Sequence, residues 1–208
     1  VTCLWLMPVY PSPGLDGGYD ITDFYGVDPR LGTPGDVVEV LRTASDRGIR
    51  VIIDLVVNHT SDRHPWFLNA RRSRNSRYRD YYVWTDKPPR DPPSPVFPGE
   101  EDSVWEYDAK TGQYYLHTFY RHQPDLNLAN PEVRDEIAKV IGFWMSIGIS
   151  GFRVDAVPFL LSQPLGEEGG QCPPRHDARG RRPLWRYRRR VLRRQRWAHR
   201  LCRPSARS

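Results

Sequence analysis

The chain has 208 residues and a net charge of +6, and its 38% apolar and 12% aromatic content is enough for one packed core. No stretch approaches 18 apolar residues, the N-terminus lacks a charged region, and three scattered cysteines are too few for a disulfide framework. We therefore expect no membrane span, no signal peptide and a cytoplasmic protein. The charge is uneven, because residues 162–208 hold 14 arginines against 3 acids, whereas residues 1–161 hold 17 basic and 22 acidic side chains.

The first part of the chain predicts a strand, a helix and a second strand. Residues 4–10 (LWLMPVY) predict a buried strand. Thr33-Pro34-Gly35-Asp36 supplies a helix N-cap, a proline at the first position and an acid at the third, and Gly48 is placed to end that helix. The β-branched run 50–59 (RVIIDLVVNH) is typical of a parallel strand that is covered on both faces.

The alternation of predicted strands and helices stops at residue 60 and resumes at residue 130. Residues 60–129 are rich in Trp, Tyr, Pro and Asp, with short strand-like pieces and no long helical period, which predicts an inserted subdomain. Asn130-Pro131-Glu132 starts a second helix, and GFRVDAV (151–157) follows it as a strand. This order predicts an α/β fold with parallel strands.

Residues 162–208 differ from everything before them. They lack Ile, Phe, Met and Lys and are dominated by Arg, Pro and Gly, so we expect a disordered basic tail. We hypothesise a shift of the coding frame near Ser162, which resequencing of the DNA would test. The alternative for this segment is a nucleic-acid-binding arm, but we expect no nucleic-acid and no membrane partner.

Two aspartates are the first candidates for chemistry. Asp54 and Asp155 lie near the carboxyl ends of predicted parallel strands, where α/β barrels collect their active-site residues. A strand-end aspartate can also be a helix cap or a turn former, but Arg153 is a same-face neighbour of Asp155 and favours its ionised form. A retaining glycosidase needs such a carboxylate as its nucleophile.

The chain resembles glycoside hydrolase family 13, the α-amylase family, at four motifs that occur in the family's order. The motifs are LWLMPVYPSP with GGYDITDFYGVDPRLGT, DLVVNH (54–59), QPDLN (123–127) and GFRVDAV (151–157). The resemblance covers residues 1–161 and is greatest to trehalose synthases and α-glucosidases. It implies about strands 2–4 of a (β/α)8 TIM barrel, formed by residues 1–59 and 130–161, with residues 60–129 as an inserted B domain and truncation at both ends.

The resemblance also implies roles for individual residues. Asp155 would be the nucleophile, Arg153 would hold it charged and oriented, and Asp54 would support the site. Substrate contacts would come from three more side chains, each of which has an ordinary structural explanation as well. Asp16 would bind the terminal glucose hydroxyls, Tyr19 would stack under the glucose ring, and His59 would donate a hydrogen bond to the sugar.

A metal ion is a further implication of the family. Asn58 and Asp125 resemble positions near a calcium ion in some relatives, but two residues do not make a calcium site. We therefore expect no required cofactor, with calcium as an option.

The family's later acid/base glutamate and its later His-Asp motif are not found in this sequence. Glu167-Glu168 and Asp177 lie in residues 162–208 without the strands that these motifs need. We expect a fragment of a retaining enzyme acting on small α-glucosides such as maltose or trehalose, either by trehalose synthase-type transfer or by α-glucosidase hydrolysis. The alternative is a non-catalytic, truncated family member; the oligomeric state stays open.

Overall fold

The computed structural model describes residues 1–160. In chain order these residues form the following strands and helices: β1 (Cys3–Leu6), α1 (Pro34–Ser45), β2 (Arg50–Leu55), α2 (Pro65–Ala70), β3 (Trp84–Thr85), β4 (Trp105–Asp108), β5 (Gln113–Leu116), α3 (Pro131–Ile147) and β6 (Gly151–Val154). Short 3-10 turns lie at Arg79–Tyr81 and Val157–Phe159. The predictions made for residues 162–208 lie outside the described residues.

A parallel sheet with the order β1-β2-β6 is the centre of the fold, which confirms the predicted α/β class with parallel strands. Trp5 is paired with Ile52 along β1 and β2, and Asp54 is paired with Arg153 along β2 and β6. Paired residues in adjacent strands point to the same face of a sheet, so this register brings Asp54 and Arg153 side by side.

Helix α1 begins where the sequence predicts. The Thr33 hydroxyl accepts a hydrogen bond from the Asp36 backbone N–H, and the Asp36 carboxylate accepts one from the Thr33 N–H at 2.7 Å, which completes a capping box. Val37 and Leu41 are buried in the same apolar cluster as the sheet residues Val51 and Ile53. The capped start and the apolar face together place α1 against the sheet.

Helix α3 is also confirmed at both ends. The Asn130 side chain caps it by accepting from the Glu132 N–H at 3.0 Å, and Gly148 ends it with a left-handed φ of +115°. Val140 and Trp144 bury one face of α3 in the sheet's apolar cluster, and the Trp144 indole donates to the Phe24 carbonyl at 2.8 Å. The packing of helix α3 against the sheet thus places the start of β6 beside β2.

The prediction of a buried strand over residues 4–10 is wrong in length and in burial. Strand β1 covers Cys3–Leu6, and Leu4, Trp5 and Met7 are 39%, 50% and 55% exposed. The reason is that β1 is an edge strand in the part of the chain that the structure describes, with β2 on one side only. Likewise β2 ends at Leu55 rather than at residue 59, although the following residues stay buried.

Residues 60–129 contain an antiparallel sheet with the order β3-β5-β4. The short strands were predicted, but helix α2 was not, because six residues are too few to show a helical period. His64 caps α2 by accepting from the Trp66 N–H at 3.1 Å through its Nδ1 atom. The domain boundaries at residues 59 and 129 stay predictions. Within residues 1–160 no helix is long and apolar enough to cross a membrane.

Candidate active site

Asp54 is the centre of the candidate site. It lies near the carboxyl end of β2, and its side chain is fully buried. Its Oδ1 atom accepts a hydrogen bond from Arg153 Nη1 at 2.6 Å, and its Oδ2 atom accepts from Trp5 Nε1 at 3.0 Å and from the Tyr19 hydroxyl at 3.3 Å. A buried carboxylate needs this many donors to offset the cost of leaving water.

Arg153 joins Asp54 to Asp155. Its Nη1 atom also donates to Asp155 Oδ1 at 2.9 Å and to the Tyr19 hydroxyl at 3.2 Å. Asp155 follows the last residue of β6, and its backbone N–H donates to the Leu55 carbonyl at 3.1 Å, which extends the pairing with β2. The structure therefore brings together four residues singled out in the sequence, Asp54, Arg153, Asp155 and Tyr19, which we call the Arg153 cluster.

The pKa of Asp155 is raised, and its burial is the largest cause. Arg153 lowers the pKa of Asp155, as the sequence suggested, whereas the Asp54 charge raises it. Burial outweighs the arginine, so the net direction differs from the one expected from Arg153 alone. Arg153 itself gains from the pairing, because its hydrogen bond to Asp54 raises the pKa of the guanidinium.

The backbone after Asp155 turns sharply at Ala156. Its φ of +53° makes it the one residue other than glycine with a left-handed φ among residues 1–160. The Ala156 backbone N–H lowers the pKa of Asp155, so this turn presents a donor to the carboxylate. An alanine in this conformation is strained by its Cβ atom.

Ala156→Gly should raise the free energy of unfolding by about 1 kcal/mol, because glycine adopts a left-handed φ without this strain. Urea unfolding of the 208-residue chain measures the change. Ala138→Gly, at an exposed position inside α3, is the matched control and should lower the free energy of unfolding by about 1 kcal/mol. If both variants lose stability by a similar amount, the turn at Ala156 is not strained.

His59 is buried, with 2% of its surface exposed, and burial is the largest cause that lowers its pKa to about 4. Its Nδ1 atom lies 3.5 Å from Asn58 Nδ2, and an amide nitrogen can only donate, so the contact favours a neutral ring with the proton on Nε2. His59 Nε2 is buried and has no hydrogen-bond partner among residues 1–160. The Tyr19 backbone and Asp20 both raise the pKa of His59, which places the ring beside the loop that carries Tyr19.

Asp16 lies on the same loop as Tyr19 and is half-buried. Its Oδ2 atom accepts a hydrogen bond from Gln123 Nε2 at 2.8 Å, and its carbonyl accepts from the Tyr19 N–H at 2.9 Å. The buried Asp20 carboxylate shapes the loop by accepting from the Ser12 hydroxyl at 2.6 Å and from the Asp16 N–H at 3.3 Å. Gln123 and Asp20 together hold Asp16 in place.

Asn58 and Asp125 contact each other, with Asn58 Nδ2 donating to Asp125 Oδ1 at 3.1 Å. The Thr118 N–H donates to the same oxygen at 3.0 Å, and the Thr118 hydroxyl donates to Oδ2. Burial raises the pKa of Asp125 to about 7. Each Asp125 carboxylate oxygen thus accepts at least one hydrogen bond, whereas calcium needs six to eight oxygen ligands.

Asn58 and Asp125 alone do not supply the ligands of a calcium ion, and calcium binding there stays a prediction. Residues 1–160 contain no group of three His, Cys, Asp or Glu side chains that could hold a metal.

The sequence did not identify four residues of the site. The sequence pattern places Trp5 and Tyr10 only in a strand, yet Trp5 donates to the Asp54 side chain and Tyr10 donates to the Asp54 carbonyl at 2.8 Å. Gln123 is part of the quoted QPDLN motif without an assigned role, and Asp20 is one of several loop aspartates. The period-2 alternation of β1 puts Trp5 on one face, but only the register with β2 shows that this face also carries Asp54.

The family model described as the α-amylase catalytic domain matches residues 1–182. The trehalose synthase/amylase of Mycolicibacterium smegmatis is 49% identical over 173 residues, covering 83% of this chain and 28% of its own length. The oligo-1,6-glucosidase of Heyndrickxia coagulans is 48% identical over 158 residues, covering 76% of this chain and 28% of its own length.

A solved structure is similar in fold as well as in sequence. The isomaltulose synthase mutant from Erwinia rhapontici, in complex with its natural substrate sucrose, superposes with a TM-score of 0.71 at 40% identity. The superposition covers 77% of this chain and 29% of that chain. The chain thus spans less than a third of the length of the relatives it matches. The family match ends at residue 182, 21 residues beyond the end at residue 161 that the motifs suggested.

Proposed function

The chain belongs to the α-amylase family, glycoside hydrolase family 13, and on that premise we propose that it carries the nucleophile and the glucose-binding side of a retaining active site. The observation that carries the proposal is the Arg153 cluster, in which one guanidinium nitrogen contacts both strand-end carboxylates, at 2.6 Å and 2.9 Å. Both carboxylate oxygens of Asp54 accept hydrogen bonds, so we assign Asp54 the role of holding Arg153 in place. Asp155 keeps the freer carboxylate and is the nucleophile.

The proposed architecture is a part of a (β/α)8 barrel. The parallel order β1-β2-β6, with Asp54 and Asp155 at carboxyl ends, supports this interpretation, because active-site residues of such barrels lie at that end. The proposal includes residues 60–129 as the inserted B domain, since the β3-β5-β4 sheet interrupts the sequence of barrel elements there.

In the proposed reaction, the Asp155 carboxylate attacks the anomeric carbon of an α-glucoside and displaces the aglycone oxygen, which takes up a proton from an acid. In the second step the conjugate base of that acid takes the proton of an incoming hydroxyl group, whose oxygen attacks the anomeric carbon of the glucosyl ester and releases the Asp155 carboxylate. His59 is proposed to contact the sugar, because burial keeps its ring neutral, so that one ring nitrogen can donate a hydrogen bond. Asp16 and Tyr19 complete the glucose-binding side.

The proposed substrates are small α-glucosides such as maltose or trehalose. Support comes from the relatives, which include a trehalose synthase/amylase and an oligo-1,6-glucosidase. If water is the attacking hydroxyl, the reaction is hydrolysis, and if a sugar attacks, it is glucosyl transfer; exclusion of water from the closed site decides between them. Trehalose synthase-type transfer is our first choice.

Covalent trapping tests the nucleophile without needing an acid. Fluoride leaves with little proton assistance, so 5-fluoro-α-D-glucosyl fluoride should label the 208-residue chain once, on the peptide that contains Asp155. Mass spectrometry of the intact and digested protein measures the label. The Asp155→Asn variant should show none. An unlabelled wild-type chain, or a label on another peptide, would overturn the proposal.

A second candidate is a family member that does not turn over substrate. One observation favours it: the family's acid/base glutamate motif is not found among the 208 residues of the sequence. In that case the trapping reagent still labels Asp155, but incubation with maltose produces neither trehalose nor glucose. Turnover of maltose that Asp155→Asn abolishes would exclude this candidate.

A further inference from the structure

The indole of Trp5 contacts both members of the ion pair at the centre of the site. Its Nε1 atom donates to Asp54 Oδ2 at 3.0 Å, and the guanidinium carbon of Arg153 lies 5.0 Å from the centroid of its ring. The Trp5 side chain is half exposed, so burial of apolar surface is not what these contacts achieve. Each of the two contacts instead restrains one charged side chain: the hydrogen bond restrains Asp54, and the ring contact restrains Arg153.

The two contacts act on the orientation of Asp54 and Arg153. A donor on Oδ2 fixes the rotation of the Asp54 carboxylate, which leaves Oδ1 directed at Arg153 Nη1. The indole ring beside the guanidinium is a favourable cation–π contact that limits the movement of the Arg153 side chain, which is 41% exposed. Arg153 then presents the same Nη1 atom to Asp155.

We propose that Trp5 is a positioning residue that acts on Asp155 through Asp54 and Arg153. The importance of Trp5 for catalysis rests on the proposed function, in which Asp155 is the nucleophile. The contacts of Trp5 with Asp54 and Arg153 are independent of that function. No hydrogen bond joins Trp5 to Asp155 in the described part of the chain, so the effect has to pass through the ion pair. Trp5 therefore does not touch the reacting atoms and is not a catalytic residue.

The test measures the pKa of Asp155 in the 208-residue chain. The chemical shift of the Asp155 carboxyl carbon, recorded by NMR as a function of pH, gives this pKa. Arg153 lowers the pKa of Asp155 against the effect of burial, so a misplaced Arg153 should let that pKa rise further. The shift in Arg153→Gln gives the full effect of the arginine. We expect Trp5→Leu to produce at least about half of this shift and Trp5→Phe, which keeps a ring beside Arg153, a smaller shift in the same direction.

Trp84→Phe is the matched control. The Trp84 indole donates to the Arg79 carbonyl at 2.9 Å, and the Arg79 guanidinium carbon lies 3.3 Å from the centroid of its ring. This variant also loses an indole hydrogen bond, but one to a backbone carbonyl in the antiparallel sheet, and should leave the titration of Asp155 as in the wild type. A Trp5→Leu variant that also titrates like the wild type would overturn the proposal. If Trp5→Leu does not fold, an unshifted Asp155 in folded Trp5→Phe would overturn it.

The titration needs no substrate, so it separates this inference from the proposed function. A Trp5-dependent pKa of Asp155 without covalent labelling of the wild-type chain would contradict the proposed function and leave the role of Trp5 toward Arg153 intact. Labelling of Asp155 together with a titration that ignores Trp5 would contradict only the role of Trp5.

Discussion

Asp54→Asn should lower the free energy of unfolding by about 2 to 3 kcal/mol, although the side chain barely changes in size. In whichever way the new amide is turned, its NH2 group faces a donor, either Arg153 Nη1 or the Trp5 indole N–H. The position is fully buried, so water cannot replace the lost acceptor. Urea unfolding at neutral pH measures the loss.

The matched control for Asp54 is Asp108, a second buried carboxylate that is paired with an arginine. Asp108 accepts from Arg71 Nη2 at 2.7 Å and from the Thr111 hydroxyl at 2.7 Å in the antiparallel sheet. Asp108→Asn should cost a similar free energy but leave covalent labelling of Asp155 unchanged, whereas Asp54→Asn should also slow the labelling. Equal labelling rates in the two variants would show that Asp54 has only a structural role.

Lowering the pH should destabilise the protein through His64. Burial lowers the pKa of His64 to about 3, below its ordinary value of 6.5. Between these two values the unfolded chain takes up a proton that the folded chain does not bind. The contribution of His64 is therefore fully present well above pH 6.5 and is lost as the pH falls toward 3, on the order of 5 kcal/mol in total. Denaturant unfolding at pH 7, 5.5 and 4.5 follows this loss.

His64→Asn isolates the effect of this histidine from other titrating groups. The raised pKa of Asp125, about 7, has the opposite sign, because its cost to stability grows as the pH rises toward 7. Asparagine keeps an oxygen that can cap α2 and does not titrate, so the difference in free energy of unfolding between the wild type and this variant should shrink by about 2 kcal/mol between pH 6.5 and 4.5. A difference that stays constant over this range would rule out His64 as the acid-sensitive group.

The helix ends of this protein follow from local sequence. Thr33, Pro34 and Asp36 specify the start of α1, and Asn130 and Gly148 specify both ends of α3, because capping depends on side chains within a few residues of the helix end. Helix α2 was not predicted for two reasons. Its cap is His64, which is not among the usual capping residues, and its six residues are too few to show a helical period of apolar side chains. The exposure of β1 could not be predicted either, because it depends on which strands lie beside it.

The family and the identity of the candidate nucleophile are readable in the sequence alone, because motifs such as GFRVDAV and DLVVNH are continuous in the chain. Only the tertiary structure decided how those motifs meet. The register of β2 against β6 places Asp54 opposite Arg153, the pairing of β1 with β2 brings Trp5 to the same carboxylate, and burial reverses the pKa shift expected for Asp155. These are contacts and solvent exclusion between residues as many as 148 positions apart, as for Trp5 and Arg153, and no local pattern encodes them.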